Sequence, residues 1–208
     1  MLPKLQYISQ GKNPGEHLDN IRHALEAGVK LVQLRLKNIE ERIFAEHAKK
    51  AQELCEKHNA FLVINDNPMV AKACGSFGLH LGLDDMPVHE AKKIVNAKAI
   101  GGTANTFEHI QQRCSENVSY IGLGPYRFTT TKEKLSPVLG ISGYDNILTK
   151  MKEHQMNTPV YAIGGIELND IAGLAEKGVY GIAVSGMLTH AQDKKSIVKQ
   201  INKILKDA

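Results

Sequence analysis

The sequence predicts a single-domain (β/α)8 barrel spanning residues 1–208, and three observations carry that prediction. Eight short β-type runs occur along the chain. Longer segments with helical periodicity separate them, and strict alternation implies parallel strands joined by helical crossovers. The chain has 208 residues, which suits eight such units near the small end of the barrel's size range. A doubly wound open sheet is the competing arrangement for the same alternation.

Taken in order, "KLQYIS" (4–9) is the first strand. "GEHLDNIRHALEAG" follows with Leu18, Ile21 and Leu25 on one helical stripe and Gly28 as its C-terminal stop. "LVQLRLK" (31–37) is the second strand. The next helix, "IEERIFAEHAKKAQELCEKHN", repeats apolar residues at Ile43, Phe44, Ala48, Ala51 and Leu54. Further strands are "FLVIND" (61–66), "GLHLG" (78–82), "AIGGTA" (99–104), "YIGLGP" (120–125), "PVYAIGG" (159–165) and "GIAVSG" (181–186). "LNDIAGLAEKG" closes a helix at Gly178. "KSIVKQINKILK" ends the chain with Ile197, Val198, Ile201 and Ile204 at helical spacing. One connection is out of scale. Residues 126–143 are polar and aperiodic, and a connection this long inside a compact domain is usually functional. Because it follows a strand, it falls on the C-terminal face of a barrel, where active sites are built. Residues 126–142 are therefore the expected active-site loop.

Composition removes several function classes. Apolar residues make up 42% and charged residues 23%, a normal globular mix. A net charge of +4, spread along the chain, is too mild to argue for nucleic acid or a membrane surface. There is no Trp, and aromatics are only 5%, which argues against a base-stacking platform. The three cysteines, Cys55, Cys74 and Cys114, are odd in number and lack metal-ligand spacing. They read as reduced, buried structural thiols of a cytoplasmic protein. No signal-like start and no membrane-length apolar run appears. Many barrels self-associate, so a homodimer is compatible with the sequence.

The second strand carries the first chemical signal. Val32, Leu34 and Leu36 alternate with Gln33, Arg35 and Lys37. Both faces of a barrel strand are covered, one by helices and one by the interior. With the apolar set under the helices, the amide and the two cations point inward. Two cations in a partly dry cavity need an anion, either carboxylates from neighbouring strands or a bound phosphate or diphosphate. Adjacent strand ends supply Asn65 and Asp66, then Asp84 and Asp85. Asp66 and Asp85 suit Mg²⁺, a hard ion that takes carboxylate and phosphate oxygens. The competing role is helix N-capping, favoured for Asp84 and evenly balanced for Asp85. Gly164 and Gly165 after the seventh strand, and Ser185 and Gly186 after the eighth, occupy positions where barrels often cradle a phosphate. His80 lies mid-strand and reads as a hydrogen-bonded core residue. No HExxH, GxSxG or Ser/His/Asp pattern supports nucleophilic hydrolysis.

"QLRLK", "IND" with "HLGLDD", "IGGTANT", "GLGPYRFTTTK", "AIGGI" and "AVSG" occur in the order and spacing of the thiamine phosphate synthase family, and the chain resembles that family over nearly its whole length. The resemblance implies a Mg²⁺-dependent condensation. A hydroxymethylpyrimidine diphosphate and a thiazole phosphate give thiamine phosphate and pyrophosphate. It implies that Gln33, Arg35 and Lys37 hold the pyrimidine diphosphate, that Asn65 contacts the pyrimidine, and that Asp66 and Asp85 ligate Mg²⁺. Thr103 stands where a Ser usually meets the diphosphate. Thr129, Thr130 and Thr131 match the thiazole-phosphate segment, Lys132 matches a diphosphate contact, and Gly165, Ser185 and Gly186 match the thiazole-phosphate cradle. Arg35, Lys37 and Lys132 are the residues expected to act on the reacting diphosphate. Leu36, Leu83, Asn105 and Phe128 depart from the family's usual acid, Gln, His and Pro. A thiazole tautomerase-like isomerase is one alternative. The retained Arg35, Lys37, Asp66, Asp85 and Lys132 argue against it, because an isomerase needs no diphosphate machinery. A non-catalytic phospho-ligand-binding barrel is another, and the intact carboxylate pair argues against that.

Overall fold

The computed structural model describes residues 1–128 and 137–207. The strands are β1 (Leu5–Ile8), β2 (Leu31–Leu34), β3 (Phe61–Asn65), β4 (Gly78–Leu81), β5 (Ala99–Ala104), β6 (Tyr120–Leu123), β7 (Val160–Ile163) and β8 (Gly181–Val184). All pair in parallel and in sequence order, and β8 closes on β1. The open doubly wound alternative is thereby excluded. The helices are α1 (Pro14–Glu26), α2 (Glu41–Lys57), α3 (Pro68–Cys74), α4 (Val88–Ile94), α5 (Phe107–Ser115), α6 (Gly140–Glu153), α7 (Ile171–Glu176), α8 (Gly186–Thr189) and α9 (Lys194–Asp207). A 3₁₀ turn, Leu168–Asp170, precedes α7.

Local signals explain where several helices begin. Asn13 and Asn67 each precede a proline. Their side chains accept the N–H of Glu16 and Val70, capping α1 and α3. Proline at the first helical position costs no hydrogen bond, because that N–H has no partner inside the helix. Thr106 caps α5 by accepting from His109. The rim aspartates Asp66, Asp84 and Asp85 cap neither α3 nor α4. Asn67, not Asp66, caps α3, and α4 starts after Pro87 without a side-chain cap, so Asp84 and Asp85 are free of the capping role considered for them. Helix α6 begins at Gly140, inside the stretch that reads as aperiodic, because Gly140 and Gly143 in its first turn have the weakest helix propensity short of proline.

The core has two parts. The larger lies between sheet and helices and takes Val32, Leu34 and Leu36 from the β2 segment, together with Ile64, Leu79, Ile121 and Ile182. The smaller, Leu31, Val63, Tyr120 and Tyr161, fills the barrel itself. Tyr120 meets Tyr161 edge-on, with ring centroids 5.3 Å apart. Space for such large rings comes from glycines on neighbouring strands. A Cβ at Gly101 would overlap the Tyr120 ring, and one at Gly122 would approach His80 Cε1 to 3.2 Å. His80 is satisfied at both ring nitrogens, Nδ1 with the Tyr120 hydroxyl at 3.1 Å and Nε2 with Thr103 Oγ1 at 3.0 Å.

All three cysteines are free, but only Cys55 is fully buried, and burial pushes its thiol up to about 12. Cys74 and Cys114 are half-buried at helix ends, and their thiols donate to Ala71 O and Thr158 Oγ1. The expectation of deep burial for these two is thus corrected. No helix among the described residues is long and apolar enough to cross a membrane.

Candidate active site

Parallel closure brings every strand's C-terminal end to one rim, so residues scattered from Ser9 to Gly186 become neighbours. Strand β2 ends at Leu34, and Arg35 and Lys37 lie just beyond it, at the barrel mouth. Gln33 is buried inside the barrel. Arg35 is half-buried, and its main-chain N–H donates to Ser9 Oγ at 3.0 Å. The Ser9 hydroxyl also pairs with His17 Nδ1 at 2.7 Å. Ser9 Oγ thus ties the main chain at Arg35 to the His17 ring. Burial lowers the His17 pKa, and the nearby Arg35 charge adds to the effect.

Lys37 reaches across to β3, where its Nζ donates to Asp66 Oδ2. Asp66 itself sits at φ +66°, a left-handed conformation uncommon outside glycine. Its main-chain N–H is fixed by His80 O at 2.8 Å. Asp85 comes back over the end of β4 and accepts the Gly82 N–H through Oδ2 at 2.5 Å. The two carboxyl groups meet. Burial and hydrogen bonding to Asp85 push Asp66 up to about 6, although Lys37 pulls the other way. Such a pair is short of positive charge even with Lys37 present. Among the described residues no group of three or more His, Cys, Asp and Glu is placed to hold a metal.

Beneath these charges two buried amide nitrogens, Gln33 Nε2 and Asn65 Nδ2, have no hydrogen-bond partner among the described residues. Buried donors on two adjacent strands suit a ligand that presents acceptors. Thr103 is engaged with His80, and Asn105 is consumed structurally, its Nδ2 donating to Gly124 O across the β5–β6 boundary.

The opposite side of the rim is built from main chain. Gly164 and Gly165 have φ of +94° and +66°, and a Cβ on Gly165 would lie 2.9 Å from Arg127 Cβ. Ser185 donates to Gln10 Oε1 at 3.2 Å, joining the ends of β8 and β1. Arg127, absent from the sequence-based site, forks onto Asp170 at 2.9 and 3.0 Å and also donates to Gly165 O at 2.6 Å. A second cation missed in the sequence, the buried Arg113, ties Gly82 O to Thr103 O and pairs with Glu116 at 2.7 Å. Lys132, Thr129, Thr130 and Thr131 lie outside the described residues.

A closed barrel with amides, cations and paired carboxylates at one sector of its rim, and glycine-rich main chain at another, is a barrel enzyme suited to phosphorylated small molecules. The family description "thiamine monophosphate synthase" matches residues 5–188. A thiamine-phosphate synthase of Flavobacterium johnsoniae is 51% identical over 99% of this chain and 97% of the relative. One from Phocaeicola vulgatus is 42% identical over 95% of this chain and 96% of the relative. The thiamine phosphate pyrophosphorylase structure from Pyrococcus furiosus superimposes with a TM-score of 0.84 at 29% identity, covering 98% of this chain and 96% of that one. A Salmonella typhimurium 3-hexulose-6-phosphate synthase shares the fold alone, with a TM-score of 0.71 at 12% identity. The chain belongs to the thiamine monophosphate synthase family. It is a transferase of thiamine biosynthesis.

Proposed function

We propose that this chain condenses 4-amino-2-methyl-5-hydroxymethylpyrimidine diphosphate with 4-methyl-5-(2-phosphoethyl)thiazole, releasing pyrophosphate and forming thiamine phosphate. The observation that carries this reading is the meeting of Lys37, Asp66 and Asp85 at the rim of a family barrel. In the reaction the methylene carbon–oxygen bond of the pyrimidine breaks, and the diphosphate departs with the bonding pair. The thiazole nitrogen supplies a pair to the same carbon. No protein nucleophile is needed, consistent with the missing triad.

The residues take the following parts. Gln33 and Asn65 present their unsatisfied amide donors to the pyrimidine and its diphosphate. Arg35 and Lys37 offset charge growing on the leaving group, and electrostatic stabilisation of this kind is usually the largest single contribution to catalysis. Asp66 and Asp85 would hold Mg²⁺, because two adjoining carboxylates, one with raised proton affinity, gain most from a divalent cation. Bound there, Mg²⁺ would supply Lewis-acid neutralisation of the diphosphate. Gly165, Ser185 and Gly186 cradle the thiazole phosphate. Thr103 places a hydroxyl near the diphosphate while orienting His80. The resemblance adds Thr129, Thr130 and Thr131 toward the thiazole phosphate, Lys132 toward the diphosphate, and residues 126–142 as the active-site loop. The free thiols fit a cytoplasmic enzyme, and a homodimer fits the family's barrel.

The test mixes the protein with both substrates and Mg²⁺. Pyrophosphate release that requires both substrates and the metal supports the synthase. Conversion of the thiazole alone would identify the isomerase, and binding without turnover would identify a regulatory barrel.

A further inference from the structure

We propose that the Arg127–Asp170 pair is a positioning device that sets the thiazole-phosphate cradle, an inference that rests on the synthase reading and deepens it. Arg127 leaves the end of β6, and Asp170 closes the 3₁₀ turn after β7, 43 residues further on. Their contact is a two-pronged fork, Nη1 to Oδ2 at 2.9 Å and Nη2 to Oδ1 at 3.0 Å. A fork fixes orientation as well as distance. Three further contacts make it a rigid block. The Tyr126 hydroxyl donates to Asp170 Oδ1 at 3.3 Å. The Glu167 N–H donates to Asp170 Oδ2 at 2.7 Å. The Arg127 guanidinium lies 5.3 Å from the centre of the Tyr126 ring.

This block grips the two glycines from one side. The Arg127 main-chain N–H donates to Gly164 O at 2.9 Å, and its Nη1 donates to Gly165 O at 2.6 Å. In a trans peptide the C=O and the following N–H point in opposite directions. With both carbonyls drawn toward Arg127, the N–H groups of Gly165 and Ile166 face the other way, as a pair of donors. Paired main-chain N–H groups form an anion-binding concavity. Glycine is required here by the close approach, since a Cβ at Gly165 (φ +66°) would meet Arg127 Cβ at 2.9 Å and Phe128 O at 3.0 Å.

The charge of Arg127 is already taken. Asp170 neutralises it, and Glu167 Oε1 stands 3.8 Å from Nη1. The guanidinium therefore acts on the substrate through the glycine carbonyls and is not itself the phosphate ligand. Direct binding and positioning predict opposite signs for the loss of Asp170. A freed guanidinium would bind phosphate better, whereas a released cradle would bind it worse.

The experiment measures steady-state kinetics of wild type, Arg127→Lys, Arg127→Met, Asp170→Asn and the Arg127→Met/Asp170→Asn double variant, with each substrate varied in turn. Wild-type pyrophosphate release establishes the synthase reading separately. The expected result is a rise of about tenfold in KM for the thiazole phosphate in Arg127→Met and in Asp170→Asn, on the scale of one lost charged hydrogen bond. KM for the pyrimidine diphosphate should stay unchanged, Arg127→Lys should recover part of the loss, and the double variant should be no worse than either single one. An unchanged or lower thiazole-phosphate KM in Asp170→Asn would overturn the proposal, as would equal rises for both substrates. Wild type without pyrophosphate release would refute the synthase reading and leave the clamp without its substrate.

Discussion

The rim has two unlike sectors. From β2 to β4 the site is made of side chains that carry charge, namely Arg35, Lys37, Asp66 and Asp85. From β6 to β8 it is made of main chain, the Gly164–Gly165 ridge and the Ser185–Gly186 turn, with the local cation neutralised by Asp170. In the proposed reading the difference follows the ligands. A diphosphate that leaves gains charge during reaction, and full charges preorganised around it stabilise that change. A monophosphate that merely anchors the other substrate keeps its charge, and peptide donors hold it without competing for the reacting centre.

The largest expected effect tests the charged sector. Asp66→Ala or Asp85→Ala should lower turnover by at least about a hundredfold, while melting shifts by only a few degrees. A large melting shift with turnover retained would make these carboxylates structural. Next, Lys37→Ala should raise KM for the pyrimidine diphosphate by about tenfold and leave KM for the thiazole phosphate alone. A matching rise for both substrates would erase the distinction between sectors. Gly165→Ala should do the reverse, raising KM for the thiazole phosphate through the strained φ and the close approach to Arg127. Ionic strength sharpens the comparison further. KM for the pyrimidine diphosphate should climb with added salt more steeply than KM for the thiazole phosphate. Equal slopes would mean that charge does not separate the two sides.

The smallest effect concerns His17. Its folded pKa lies below the ordinary 6.5, chiefly through burial. A depressed histidine adds stability that is fully present above about 6.5 and is lost as pH falls toward the folded value. The stability gap between wild type and His17→Asn should therefore narrow from pH 8 to pH 5, as followed by thermal denaturation. A gap that widened on acidification would mean that the fold favours the charged ring, contradicting the effect of its burial.

What the sequence made legible was whatever repeats locally. Strand β2 could be oriented from alternation alone, and Leu36 lies under the helices as that alternation requires. Helices with a clean apolar stripe, such as α2 and α9, were placed within a residue or two. What stayed hidden depends on partners far apart in sequence. Arg127 and Asp170 are 43 residues apart, and His80 and Tyr120 are 40 apart. No local pattern links either pair. Gly101 read simply as part of a glycine-rich strand, whereas it makes room for a ring from the next one. Asp85 was ambiguous because capping and metal binding use the same carboxylate, and the choice depended on where α4 begins. Asn13 and Asn67, each before a proline, are caps that went unread, although an Asn-Pro pair is a local signal for one.

The central claim is that the carboxylates of the β2–β4 sector, and not the Gly165 ridge, are what the diphosphate and its metal depend on. Calorimetric titration of Mg²⁺–pyrophosphate into wild type, Asp66→Asn/Asp85→Asn and Gly165→Ala tests it directly. The account predicts binding to wild type and Gly165→Ala alike, with heat lost in the double aspartate variant. Undiminished binding by that double variant, or loss of binding in Gly165→Ala, would contradict it.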